Sequence, residues 1–234
     1  MTTISNNVQD TKNRIRQAVR ACGRHDGEVR LLAVSKTWPA DAVREAWRAG
    51  QRAFGENYVQ EAVTKITALN DLDLEWHFIG PLQSNKTREV AEHFAWVHSI
   101  DRLRIAERLS AQRPADLPDL QICLQINVSG EDTKSGIPPD EAAALAQAVM
   151  KLPRLHLRGL MCIPEPSDDP DVLRTRFRQL RELRDQLNAN ISGCRLDVLS
   201  MGMSDDFELA IREGSTLVRM GTAIFGSRTS THTL

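Results

Sequence analysis

Lysine is scarce in this chain of 234 residues, six against twenty-four arginines, and one of the six, Lys36, closes the apolar run Leu31-Leu32-Ala33-Val34-Ser35-Lys36. A lysine at the edge of an apolar core is desolvated and loses its proton more readily, and a neutral amine attacks a carbonyl carbon to form a Schiff base. The same position also suits an ordinary strand-end lysine with its head in solvent. A second group lies far along the chain. Ser200-Met201-Gly202-Met203-Ser204 sets small residues before a helical pattern that starts at Asp205, and Gly221-Thr222 follows. Free N–H groups at a helix start bind an anion, and glycine lets it approach the backbone. Capping by Asp205 and Asp206 is the competing reading, and an anion site requires both carboxylates to face solvent.

The elements that must position these residues follow from periodicity. Apolar runs predict strands at Val29–Ser35, Arg52–Gly55, Leu74–Ile79, Trp96–Ile100, Leu120–Val128, His156–Cys162, Leu196–Met201 and Thr216–Phe225. Helical patterns separate them at Pro39–Ala49, Tyr58–Leu69, Ser84–Glu92, Arg102–Ala111, Pro139–Lys151, Asp171–Asn190 and Asp205–Glu213. Strict alternation at this length points to a single-domain (β/α)₈ TIM barrel over residues 1–234, with a doubly wound open sheet as the alternative. Too little chain follows the eighth strand for a full closing helix, whereas an amphipathic helix around Val8–Cys22 precedes the first strand. The N-terminal segment 1–25 is therefore expected to pack on the flank that the last helix leaves bare. The stretch from Pro164 to Pro170 reads as a surface loop.

Barrel enzymes place their sites at the carboxyl ends of the strands, and the candidates fall there in turn. Lys36 follows strand one and Asn57 strand two, His77 lies on strand three, and Ser200, Met201 and Gly202 come from strand seven. Arg219, Gly221 and Thr222 belong to strand eight. Each has a structural reading by itself: His77 as a bonded core histidine, Asn57 as a turn former, Arg219 as a salt bridge within the barrel. Together, a Schiff-base lysine opposite a phosphate cradle implies an aldehyde that carries a phosphate, and pyridoxal 5′-phosphate meets that description. An arginine beside its ring nitrogen keeps that nitrogen unprotonated and weakens the cofactor as an electron sink.

Ala33-Val34-Ser35-Lys36, Phe54-Gly55-Glu56-Asn57, Trp76-His77-Phe78-Ile79-Gly80-Pro81-Leu82-Gln83 with Asn85-Lys86, Leu199 to Asp206, and Val218 to Gly226 resemble the pyridoxal phosphate homeostasis proteins. The resemblance runs in order over nearly the whole chain. It implies a barrel like the N-terminal domain of alanine racemase and pyridoxal phosphate on Lys36. Phosphate contacts from Ser200, Gly202, Gly221 and Thr222 are implied too, with Arg219 at the ring nitrogen and Asn57 and His77 as neighbours or supports. Lys134 resembles a further motif lysine that receives the cofactor transiently. The implied role is cofactor homeostasis, with delivery to apo-enzymes and no established catalytic reaction.

Other function classes are weighed on the residues. An amino-acid racemase needs acid–base groups on both faces of its substrate, and this chain has one tyrosine, Tyr58, with no second domain to supply an opposing base. A class I aldolase also uses a barrel lysine, but from a late strand. The net charge of −1 gives no support to a nucleic-acid partner. No apolar run approaches a membrane span, and the polar start lacks a signal peptide's core, so a cytoplasmic location is expected. Cys22, Cys123, Cys162 and Cys194 are scattered, without the spacing of a metal site. The lack of a second domain favours a monomer.

Overall fold

Short apolar segments that alternate in side-chain direction can bury one face inward and one outward, and the chain does so eight times. The computed structural model describes residues 3–130 and 135–227. Its strands are β1 (Arg30–Val34), β2 (Ala53–Glu56), β3 (Glu75–Phe78), β4 (Trp96–Ile100), β5 (Leu120–Gln125), β6 (Leu155–Met161), β7 (Val198–Ser200) and β8 (Leu217–Met220). They form a closed parallel barrel in chain order, β8 returning to β1 with Leu32 opposite Arg219. Between them lie α2 (Ala40–Arg48), α3 (Val59–Ala68), α4 (Thr87–His93), α5 (Leu103–Gln112), α6 (Ala142–Val149), α7 (Pro170–Asn190) and α8 (Phe207–Arg212). Helix α1 (Ile4–Ala21) precedes the first strand, and a single turn, α9 (Thr222–Phe225), follows the last.

Strand alternation divides the apolar residues between two cores. Outward residues such as Phe54, Phe78, Val97, Leu160, Leu199 and Val218 join the helices in one large core. Inward residues, among them Leu32, Ala53, Trp96, Cys123, Met161 and Leu217, form a smaller cluster inside the barrel. The expected TIM barrel is thus the observed one, and its inside is packed.

Helix α1 takes the place of a closing outer helix. It packs on α2, α8 and α9, burying Val8, Ile15 and Val19. Asn7 Nδ2 donates to the Ile224 carbonyl at 2.8 Å, tying this helix to α9.

Two boundaries differ from expectation at places that matter for the site. The last strand was expected to reach Phe225, but it ends at Met220 and the chain turns into α9. There the N–H groups of Ile224 and Phe225 both return to the Gly221 carbonyl at 2.9 Å. Thr-Ala-Ile-Phe suits a strand by propensity, and that local bonding together with the α1 contact decides for a helical turn. Helix α8 starts at Phe207, two residues late, because Asp206 Oδ1 accepts the Met203 N–H at 2.6 Å and holds a turn in between. Among the described residues no helix is long and apolar enough to cross a membrane.

Candidate functional site

A cavity of about 310 Å³ opens at the carboxyl-end mouth of the barrel. Lys36 enters it from the end of β1, Asn57 from the end of β2, and Arg219 from β8. Gly221 and Thr222 border it where β8 passes into α9, and Met203, Ser204 and Asp205 border it from the loop after β7. Trp38, Ile79 and Ile163 supply apolar wall.

Lys36 has the same parity as Leu32 and Val34, so its side chain continues the inward face and is half-buried. The chain turns sharply just after it. Thr37 has φ 68°, a costly backbone state for a β-branched residue. A buried cluster beneath holds that turn in place. Lys65 Nζ donates to the Ser35 carbonyl at 2.7 Å, Glu56 Oε1 at 2.7 Å and Glu61 Oε1 at 2.6 Å. Ser35 Oγ donates to Glu56 at 2.6 Å, and Glu61 also accepts the Thr37 N–H. Burial pushes the Glu56 carboxyl above its ordinary range, against the pull of Lys65. The two lysines therefore occupy different environments: Lys65 is sealed by acceptors, whereas Lys36 borders the cavity.

Asn57 owes its position to a close backbone approach. A Cβ on Gly80 would stand 2.4 Å from the Asn57 carbonyl oxygen, so only glycine lets the loop after β3 lie against it. Asn57 borders the cavity, and its Oδ1 is buried and makes no hydrogen bond to a described residue.

Arg219 is 4% exposed and, among the described residues, forms no ion pair. Its Nη1 donates to the Ser200 carbonyl at 2.6 Å and Ser200 Oγ at 2.9 Å, and its Nη2 to the Cys162 carbonyl at 2.8 Å. Burial lowers its pKa from the ordinary arginine value, yet guanidinium stays charged in proteins. Its direct partners are carbonyl and hydroxyl dipoles, with the Asp206 carboxylate acting on it only at longer range, and a cation so held suits an electron-rich ligand atom.

The remaining sequence candidates do not border the cavity. Ser200 is fully buried inside the barrel, its hydroxyl committed to Arg219 and to His98 Nδ1 at 2.8 Å. His77 is also fully buried, bonded to His98 Nε2 at 2.9 Å and Glu75 Oε1 at 2.7 Å. Met201 points the other way, into the outer core. Gly202 has φ 96°, and a Cβ there would stand 2.7 Å from Ala210 Cβ, so the packing of α8 by itself requires glycine. The two acids do not both face solvent: Asp205 is exposed at the cavity rim, and half-buried Asp206 is spent on the turn. Lys134 lies outside the described residues.

Sequence reasoning passed over Ser204, Ile163 and His98. Ser204 stood within the quoted small-residue motif. His98 carried a usable signal, a polar residue in the middle of the apolar strand Trp96–Ile100, but one strand alone does not disclose its partners.

The model of the alanine racemase N-terminal domain matches residues 7–229. A pyridoxal phosphate homeostasis protein of Pseudomonas aeruginosa is 60% identical over 228 residues, 97% of each chain. The chain belongs to this family. Its member from Escherichia coli K12 is 54% identical over 97% of this chain and 98% of its own. The structure of PipY from Synechococcus elongatus with pyridoxal phosphate bound superposes with a TM-score of 0.80 at 40% identity, over 91% of this chain and all of that one. Alanine racemase of Corynebacterium glutamicum, at 18% identity, shares the fold alone, with a TM-score of 0.70 over 96% of this chain and 61% of its own.

Proposed function

We propose that this chain binds pyridoxal 5′-phosphate reversibly on Lys36 as a Schiff base and keeps the free cofactor available to apo-enzymes in the cytoplasm. The observation that carries the reading is the convergence on one cavity of a strand-end lysine, a buried arginine without a direct ion pair among the described residues, and the turn into α9. The family's name and the pyridoxal phosphate held by PipY support it. When bound, the cofactor supplies a reactive aldehyde and an electron-withdrawing ring. The chain's own residues do the rest: Lys36 offers the amine, Arg219 donates toward the ring nitrogen, and Asn57 Oδ1 accepts a hydrogen bond. Gly221, Thr222 and Ser204, which border the cavity where β8 passes into α9 and after β7, would hold the phosphate. Ser200, His77, Met201 and Gly202 act from behind this layer.

The alternative, a racemase or other pyridoxal phosphate enzyme, requires a proton donor on each face of the substrate. No tyrosine or histidine lines the described cavity, and Tyr58 is 57% exposed away from it. Among the described residues Asp205 is the one carboxylate that lines it. We therefore expect no sustained turnover of amino acids. The experiment is a visible spectrum of the purified protein with pyridoxal phosphate, borohydride reduction and peptide mapping, followed by reactivation of an apo-transaminase. A label on a peptide with Lys36 and reactivation without amino-acid turnover are the expected results, and multiple turnover on any amino acid would restore the enzyme reading. Sedimentation tests the expected monomer.

A further inference from the structure

Behind Arg219 a line of side chains crosses the barrel interior to its opposite end. Arg219 Nη1 meets Ser200 Oγ, Ser200 Oγ meets His98 Nδ1, His98 Nε2 meets His77 Nδ1, and His77 Nε2 meets Glu75 Oε1, every contact between 2.7 and 2.9 Å. Ser200, His77 and His98 are fully buried, and the His77 ring stacks on Trp96 at an interplanar angle of 2°. Glu75, at the amino end of its strand, pairs with Arg30 and is partly exposed.

The chemistry at both ends dictates where every proton sits. Guanidinium only donates, so Ser200 Oγ accepts from Arg219 and has its own proton to give to His98 Nδ1. His98 then carries its proton on Nε2 and donates to His77 Nδ1. His77 in turn carries its proton on Nε2, which is what an ionised Glu75, an acceptor only, requires. The reverse polarity would set a bare ring nitrogen against a carboxylate oxygen at 2.7 Å. Burial favours the neutral form of both rings.

We propose that His98 and His77 are positioning residues: with Ser200 they form a one-way hydrogen-bonded chain, anchored on Glu75, that fixes the guanidinium plane of Arg219 at the cavity. Both Nη1 protons and one Nη2 proton are spent on Ser200 and Cys162, which leaves Nε–H and one Nη2–H for a ligand. The proposal rests on the cofactor reading only for the identity of that ligand.

The test is side-chain nitrogen NMR of the full chain without ligand, followed by titration with pyridoxal 5′-phosphate. Both imidazoles should be neutral and protonated on Nε2, and Arg219 should give slowly exchanging guanidinium signals. His98→Phe should broaden those signals and weaken cofactor binding about tenfold. His98→Asn keeps an acceptor for the Ser200 hydroxyl without reaching His77; it should recover the Arg219 signals and the affinity only in part, because His77 and Glu75 no longer fix the direction of the chain, and full recovery would remove His77 and Glu75 from it. Ser200→Ala cuts the same chain with little change in volume, so it decides the matter if His98→Phe does not fold. A proton on Nδ1 of either ring, unchanged Arg219 signals in Ser200→Ala, or identical behaviour of the Phe and Asn variants would overturn the proposal. A wild-type protein that bound no pyridoxal phosphate would refute the cofactor reading, and the Arg219 signals would still decide this one.

Discussion

Below Lys36 the cavity wall made by β1, β2 and α3 is held by charge: Lys65, 5% exposed, sits among Glu56, Glu61 and the Ser35 carbonyl. Below Arg219 the wall made by β7 and β8 is held by neutral groups, a hydroxyl, two imidazoles and two carbonyls. The first arrangement seals its buried cation among carboxylates, so Lys65 is structural. The second leaves the positive charge of Arg219 standing at the cavity. A basic residue in this barrel gains a chemical role through the partners its surroundings give it, since charge and burial are alike in the two cases.

The largest test separates the two lysines. Lys36→Ala should abolish borohydride-fixed retention of pyridoxal phosphate, measured by mass spectrometry after denaturation, whereas the wild type carries the label on Lys36 and none on Lys65. Label on Lys65 would break the contrast. Next comes the charged wall itself. Lys65→Met leaves Glu56 buried without its cation and should cost about 3–5 kcal/mol in urea unfolding. Adding Glu56→Gln should return part of that loss, and a cost below about 1 kcal/mol for the single variant would show the cluster to be ornamental.

Gly202→Ala sharpens the account of the other wall. The added Cβ meets Ala210 and the backbone is held at φ 96°, so stability should fall by about 2 kcal/mol while the folded protein keeps its affinity for pyridoxal phosphate. A selective loss of affinity would return Gly202 to the phosphate site. Ser204→Ala should do the opposite, leaving stability unchanged and weakening the cofactor about threefold in an equilibrium titration.

The smallest expected effect is an acid one. Burial alone would raise the Glu75 carboxyl, but the hydrogen bonds from His77 and Arg30 and the charge of Arg30 outweigh it and hold the carboxyl below its ordinary range. A depressed carboxylate contributes stability above its unfolded pKa and loses it as pH falls toward the folded one, so this contribution fades from about pH 4.5 downward. His77 and His98, lowered by burial, act in the same direction from higher pH, because below about pH 6.5 the unfolded chain takes up protons that the folded one refuses. Urea midpoints from pH 7 to 2.5 should therefore decline in two stages. Glu75→Gln should flatten the lower stage, modestly, since Glu75 is partly exposed and solvent screens the pair.

The amino-acid sequence by itself determined the barrel, because eight short apolar runs separated by helical patterns admit few closed arrangements, and it determined the face on which Lys36, Asn57, Arg219, Gly221 and Thr222 meet, because strand ends of a parallel barrel share one mouth. Periodicity also placed an extra helix ahead of the first strand, where α1 now covers the flank beside α9. Tertiary structure alone decided which member of a motif turns inward. Ser200 and Met201 are neighbours in one quoted run, yet alternation along β7 sends the first to His98 and Arg219 and the second into the outer core. It also decided that Gly202 answers to Ala210, that Thr222–Phe225 is a helical turn, and that His77 belongs to a chain ending at Glu75. Such partners come from strands and helices far apart in sequence, and only barrel closure brings them within hydrogen-bond and van der Waals distance.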